Sequence, residues 1–221
     1  ALTKKSLTAR ISAMIGIVDY NAGNIKSVER ALLSLNANFI LSKKPSELEN
    51  CERLIVPGVG EAKYAMEQFK KTGFDSFLKD WAKSKKPMLG ICLGSQIVFE
   101  HSEEGDVDCL GLLKGEIKLF NTVWKEEGKN PGLKVPQIGW NDLNFANGGS
   151  KLLEGVPEHS DFYFVHSYLI QPEDKTIVKA WVDYGTQVPA CVESENITVF
   201  QCHPEKSGKC GLQVLKNFIN G

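Results

Sequence analysis

The sequence predicts an α/β fold in which a largely parallel central sheet is flanked by helices, with added antiparallel strands in the C-terminal half. Three observations predict it. In the first half, short apolar runs alternate with segments of helical periodicity, as in βαβ units. After about residue 110, apolar runs follow one another across hairpin-like turns with few helical segments between them. The chain has 221 residues, 42% of them hydrophobic, enough for one domain with a sizeable core.

Residues 1–13 are polar and basic and read as a cloning remnant or a flexible extension, leaving 14–221 as a single domain. Ile15–Asp19 reads as the first strand. A turn follows at Asn21–Asn24, with Asn24 as N-cap of a helix that turns Ile25, Val28, Ala31, Leu32 and Leu35 to one side. Phe39–Leu41 and Arg53–Val56 read as strands, the latter ending at Pro57-Gly58-Val59-Gly60. Helices are expected over Ala62–Phe69 and Phe74–Ala82, then a buried strand over Pro87–Ile91 and a helix continuing through Gln96–Glu100. Leu112–Phe120, Asp161–Tyr168, Thr176–Val182, Ala190–Glu193 and Ile197–Cys202 read as strands. Glu126–Gly132 reads as a surface loop and Lys209–Ile219 as the last helix.

Charge and cysteine usage exclude several classes. Lys plus Arg number 26 and Asp plus Glu 27, a balance without the footprint of a nucleic-acid binder. No apolar run is long enough to span a bilayer. The six cysteines form no C-x-x-C pair, so no metal site is expected. A chain of this length needs no disulfide scaffold, so reduced thiols and a cytoplasmic location are expected.

The chemistry centres on Gly90-Ile91-Cys92-Leu93-Gly94. A strand running into a helix across paired glycines is the pattern of a nucleophile elbow, with cysteine in the serine position. A helix N-terminus favours the thiolate, and the Leu93 N–H would face the oxygen of a bound carbonyl. The plain alternative is a buried cysteine beside two turn glycines. A thiol nucleophile needs a base. In Gln201-Cys202-His203-Pro204-Glu205, an extended chain puts His203 and Glu205 on one side, with the carboxylate fixing the imidazole tautomer. His166 is the competing base. The Pro57–Gly60 loop offers a second oxyanion donor, from Gly58 or Val59.

With Cys92, His203 and Glu205 in that order, the chain resembles the class I (triad-type) glutamine amidotransferases. Within them it resembles the glutaminase subunits of imidazole glycerol phosphate synthase. The residues carrying this are Asp19–Asn24 with Ser27-Val28, Pro57–Gly60, Gly90–Gln96, Val135–Asn141, Phe162–Tyr168 and His203–Gly208. The resemblance implies a flavodoxin-like fold and hydrolysis of glutamine through a thioester on Cys92, with no cofactor. The ammonia passes to a (β/α)₈-barrel cyclase subunit of histidine biosynthesis. It also implies that Gly60, Gln96, Glu104, Ser167 and Tyr168 hold glutamine, and that Asn21, Asn24, Trp140, Asn141, Tyr163 and Lys206 face the cyclase. Ser95, Gln137 and Cys202 stand where the commoner pattern has methionine, histidine and phenylalanine. The alternatives are a paralogous amidotransferase of surface-sugar synthesis, a stand-alone thiol hydrolase of the same fold, and a regulatory subunit, which a broken triad would signal.

Overall fold

The computed structural model of the chain describes residues 13–21 and 25–221. The expected N-cap and partner-facing Asn24, and nearly all of the predicted N-terminal extension, lie outside the described residues.

Four strands and four helices build the first half: β1 (Ile15–Val18), α1 (Ile25–Ser34), β2 (Phe39–Ser42), α2 (Pro45–Leu48), β3 (Arg53–Gly58), α3 (Ala62–Thr72), α4 (Phe74–Lys83) and β4 (Met88–Cys92). A single helical turn, α5 (Leu93–Gln96), follows at once. Short strands β5 (His101–Ser102) and β6 (Val107–Asp108) lead to β7 (Gly115–Leu119) and α6 (Phe120–Glu126). The rest is β8 (Gln137–Asp142), β9 (Asn144–Phe145), β10 (Asp161–His166), β11 (Tyr168–Pro172), β12 (Val178–Asp183), β13 (Gln187–Ser194), β14 (Ile197–Phe200) and α7 (Gly208–Asn220).

The main sheet has the order β2-β1-β3-β4-β14-β13-β12-β9. Its first five strands are parallel and its last three antiparallel. The chain reverses its direction of winding between β1 and β3, and ligands of such open sheets collect beyond the strands' carboxyl ends. Both faces are covered, so strands such as β4 are buried at every position. Side chains alternate between two cores: Ile55 and Ile91 pack with α1 and α7 on one face, Leu54 and Val56 with α3 and α4 on the other. β8 and β10 form a separate two-stranded ribbon, and β11, β7, β5 and β6 a small third sheet.

Several elements differ from the sequence reading. β3 does not stop before Pro57; Pro57 pairs with Ile91 and Gly58 with Cys92. The β1 register ends at Ile55, so the proline meets a neighbour on one side only. The helix expected through Glu100 ends at Gln96. The carbonyls of Ile97, Val98 and Phe99 accept from the backbone of residues 110–113 instead of from a next helical turn. Those same N–H bonds hold Leu112 and Leu113 outside the strand expected there, which begins at Gly115 and gives way to α6 at Phe120. The strand expected over Asp161–Tyr168 is two strands in two sheets, broken at Ser167: Asp161–His166 pairs with β8, and Tyr168–Pro172 with β7. β8 itself was not expected. Thr176 and Ile177 belong to a 3-10 turn that precedes β12.

Candidate active site

β3 and β4 end side by side, and their last residues create the site. Cys92 adopts φ 53 and ψ −111, a backbone strained for an L-residue and held by its surroundings. The glycines make the turn possible by close approach. A Cβ on Gly94 would stand 1.9 Å from the Val56 carbonyl oxygen, and one on Gly90 would stand 2.5 Å from that of Gly94. The Ser95 hydroxyl donates to the Cys92 carbonyl and closes the turn from within. With only one turn in α5, the influence on the thiol comes from its first N–H groups rather than from a long helix dipole.

His203 approaches from the end of the adjacent β14. Its Nδ1 lies 2.7 Å from Glu205 Oε1, and both side chains are buried, at 2% and 3% exposure. The pair is not extended, as the sequence reading had it. Pro204 opens a 3-10 turn, Pro204–Lys206, for which its fixed φ and missing N–H are suited, and the turn folds the carboxylate back onto the ring. Nε2 has no partner at full hydrogen-bond geometry, and the Cys92 thiol makes only a long contact, 3.9 Å, with the Val165 carbonyl. Burial, the largest influence on His203, disfavours its charge. The hydrogen bonds and charges of Cys92 and Glu205 together outweigh it and raise the imidazole to about 9. Loose thiol–imidazole contacts of this kind are common before substrate binds.

His166, the competing base, is also buried at the site. Its Nδ1 donates to the Tyr168 carbonyl at 2.7 Å, and its Nε2 lies 3.1 Å from the Gln137 side-chain amide. Burial is the main cause that lowers it to about 4; the Tyr168 bond opposes this and the charge of His203 adds to it. It is therefore a neutral ring whose proton is committed to the Tyr168 carbonyl, with no carboxylate beside it.

A cavity of about 240 Å³ opens onto Cys92. Val59, Gly60, Leu93, Gln96, Glu104 and Tyr168 line it together with the 165–167 backbone segment. Glu104 accepts from the Ala62 N–H at 2.9 Å, tying the pocket rim to the start of α3. Burial raises its pKa, opposed by that bond and reinforced by Glu61. Gln96 donates to the Tyr168 carbonyl at 2.9 Å and to Gln201 Oε1 at 2.8 Å, locking the pocket floor. Gly58 lies just beneath, paired with Cys92 in the ladder. A larger depression, about 490 Å³, crosses β12 and β13 beside Trp181 and Lys175 but holds neither thiol nor histidine.

Outside the pocket, Trp140 and Tyr163 face each other across the β8–β10 ribbon, ring centroids 5.9 Å apart. Lys206 Nζ stands 5.7 Å over the Tyr163 ring, which lies 6.2 Å from His203. Trp140 is 58% exposed and Ile138, on the same side of β8, 62%. Asn141 donates to the Asp183 carbonyl. Asn21 is exposed and accepts from Lys43.

This arrangement of strained thiol, buried histidine and buried glutamate has relatives. A family profile described as "Glutamine amidotransferase class-I" matches residues 16–220. The chain belongs to the class-I glutamine amidotransferases. Among curated relatives, a protein of Dehalococcoides mccartyi named imidazole glycerol phosphate synthase subunit HisH is 41% identical over 207 residues, 93% of this chain and 96% of the relative. One of the same name from Oceanobacillus iheyensis is 42% identical over 206 residues, 93% of this chain and 98% of the relative. Among solved structures, PurLQS of Thermotoga maritima shares the fold at a TM-score of 0.67 and 21% identity, covering 94% of this chain and 97% of that one.

As an amidotransferase site it contains groups the sequence reading passed over. Gln201 is fully buried against Gln96; its position just ahead of His203 was the available signal. The Val165 carbonyl facing the thiol carries no signal in the sequence. Tyr20 is fully buried, and its hydroxyl has no partner. Among the described residues no group of three or more His, Cys, Asp or Glu is arranged to hold a metal.

Proposed function

We propose that the chain is the glutaminase subunit of imidazole glycerol phosphate synthase, supplying ammonia to a cyclase subunit of (β/α)₈-barrel fold in histidine biosynthesis. The observation that carries the chemistry is Cys92 on its elbow, opening onto a pocket with the His203–Glu205 pair behind it. The printed name of relatives about 40% identical over 93% of the chain supports the narrower reading. Residues 14–221 act as one domain. All six cysteines are free thiols, which suits a reducing cytoplasm.

Each residue then has a task. Gln96, Glu104, Ser167, Tyr168 and Gly60 hold glutamine with its side-chain amide at the thiol. His203 takes the proton of the Cys92 thiol, and the sulfur attacks the amide carbon. The resulting oxyanion is met by the N–H of Leu93 and by an N–H of the Gly58–Val59 segment. His203 gives its proton to the departing nitrogen, which leaves as ammonia, and a thioester remains on Cys92. His203 then accepts a proton from water, whose oxygen attacks the thioester, and returns it to the departing sulfur, releasing glutamate and restoring the thiol. Glu205 holds Nδ1–H throughout and stabilises the imidazolium. Trp140, Asn141, Tyr163 and Lys206, with Asn21, form the face that meets the cyclase.

The test is glutaminase turnover by the isolated chain, then with cyclase, then with cyclase plus its nucleotide substrate. Turnover is expected to be low alone and to rise with each addition. Cys92→Ala is expected to abolish it while the assembled cyclase still uses added ammonium. Full turnover by the isolated chain, unmoved by either addition, would make it a stand-alone hydrolase.

A further inference from the structure

The least explained buried group near the site is the Tyr20 hydroxyl. Tyr20 follows β1 and Asp19, on the segment that leads toward Asn24. Its ring packs edge-on against Phe69 of α3, centroids 4.6 Å apart. Its oxygen lies 2.6 Å from where a Cβ on Gly58 would stand. The Gly94 nitrogen and the Leu93 Cβ each lie 2.8 Å from that same point. The phenol therefore occupies the junction of the two backbone segments that would flank an oxyanion: the end of β3 and the first turn after Cys92. It is fully buried and its oxygen has no hydrogen-bond partner. Burial above all, and the nearby Cys92 charge, push its pKa above the ordinary tyrosine range. It is a protonated hydroxyl, a donor.

A buried donor without an acceptor is a cost that folded proteins usually avoid. Packing needs only the ring, which phenylalanine supplies equally well. The hydroxyl has a use if a carbonyl comes to it during turnover. The phenol oxygen packs against Gly58, so the peptide between Gly58 and Val59 is the nearest source of one. When that peptide turns its N–H toward a substrate oxyanion, its carbonyl must turn the other way, and the buried O–H in contact with Gly58 is there to receive it. We propose that Tyr20 is a positioning residue of the oxyanion site, its hydroxyl binding the Gly58 carbonyl once the Gly58–Val59 peptide has turned its N–H to the pocket. The inference rests on the glutaminase reading given above.

The experiment is Tyr20→Phe in the full chain, followed by steady-state glutamine hydrolysis alone and with cyclase plus nucleotide, and by thermal melting. Removing an unpaired buried hydroxyl is expected to leave the melting temperature unchanged or higher. The turnover number is nevertheless expected to fall by about tenfold or more, with KM for glutamine unchanged, since an ill-placed oxyanion donor is felt only in the transition state. An unchanged turnover number overturns the proposal, because the hydroxyl is then a passive occupant. A fall in melting temperature with KM and turnover altered together also overturns it, since that marks a packing role. Wild type measured alongside keeps the two readings apart: failure of wild type to respond to cyclase counts against the subunit reading, not against Tyr20.

Discussion

His203 sets the pH behaviour expected at the residue scale. Its folded value, about 9, lies above the ordinary 6.5. A group bound more tightly to its proton in the folded state stabilises that state below its unfolded pKa and loses the contribution as pH rises through the folded one. The chain should therefore lose stability between about pH 6.5 and 9, and glutaminase turnover should fall over the alkaline end, where no imidazolium remains to protonate the leaving nitrogen. Glu205→Gln should move the alkaline limb down by about one to three units. A pH–rate profile and denaturation at pH 6 and 9.5 check both. Cys92 and the His203–Glu205 pair were legible because their chemistry is local: two glycines around a cysteine, and a carboxylate two residues from an imidazole. The pair survives even though its backbone is a 3-10 turn and not extended. Tyr20 and the Val165 carbonyl were not legible, since each matters through a neighbour distant in sequence.

The elbow and the β8–β10 ribbon carry the expectations at the scale of elements. Gly94→Ala would drive a Cβ into the Val56 carbonyl, a backbone atom that cannot swing aside. A loss of at least about 3 kcal/mol is expected by chemical denaturation. Gly60→Ala is the contrast: φ is 101 with nothing within 4 Å, so only backbone strain opposes it, about 1 kcal/mol. Trp140 is mostly exposed and packs only partly on Tyr163, so Trp140→Ala should barely change folding stability. It should weaken association with cyclase by about 2 kcal/mol, read by titration, while Cys92 still alkylates at its normal rate. The helix limits after Cys92 were not readable because residues 110–113, remote in sequence, capture the carbonyls that would continue it. The break at Ser167 was hidden by an unbroken run of strand-forming residues; only the change of pairing partner, from β8 to β7, reveals it.

At the scale of the whole molecule, the parallel half was legible from alternating apolar runs and helical periods, because each βαβ unit is written contiguously. The sheet order was not. β14 pairs with β4 across more than a hundred residues of chain, Ile197 beside Met88, and it is this insertion that carries His203 to Cys92. Ser167 has a wider significance. The chain leaves a ribbon that bears Tyr163 opposite Trp140, passes Ser167, whose carbonyl accepts from the Phe120 N–H, and enters the next sheet at Tyr168, with the pocket lined from Val165 to Tyr168. The last residues of the ribbon strand, Val165 and His166, thus meet whatever fills the pocket, and the rest of the ribbon is paired to them. Exchange with deuterated solvent gives this a measurable form: glutamine bound to the Cys92→Ala chain should slow exchange along residues 161–166 and at their β8 partners, although none of the β8 residues faces the cavity. On the proposed function, cyclase added to the chain should in turn slow exchange at Tyr168, so that each ligand is recorded in the protection pattern of the other.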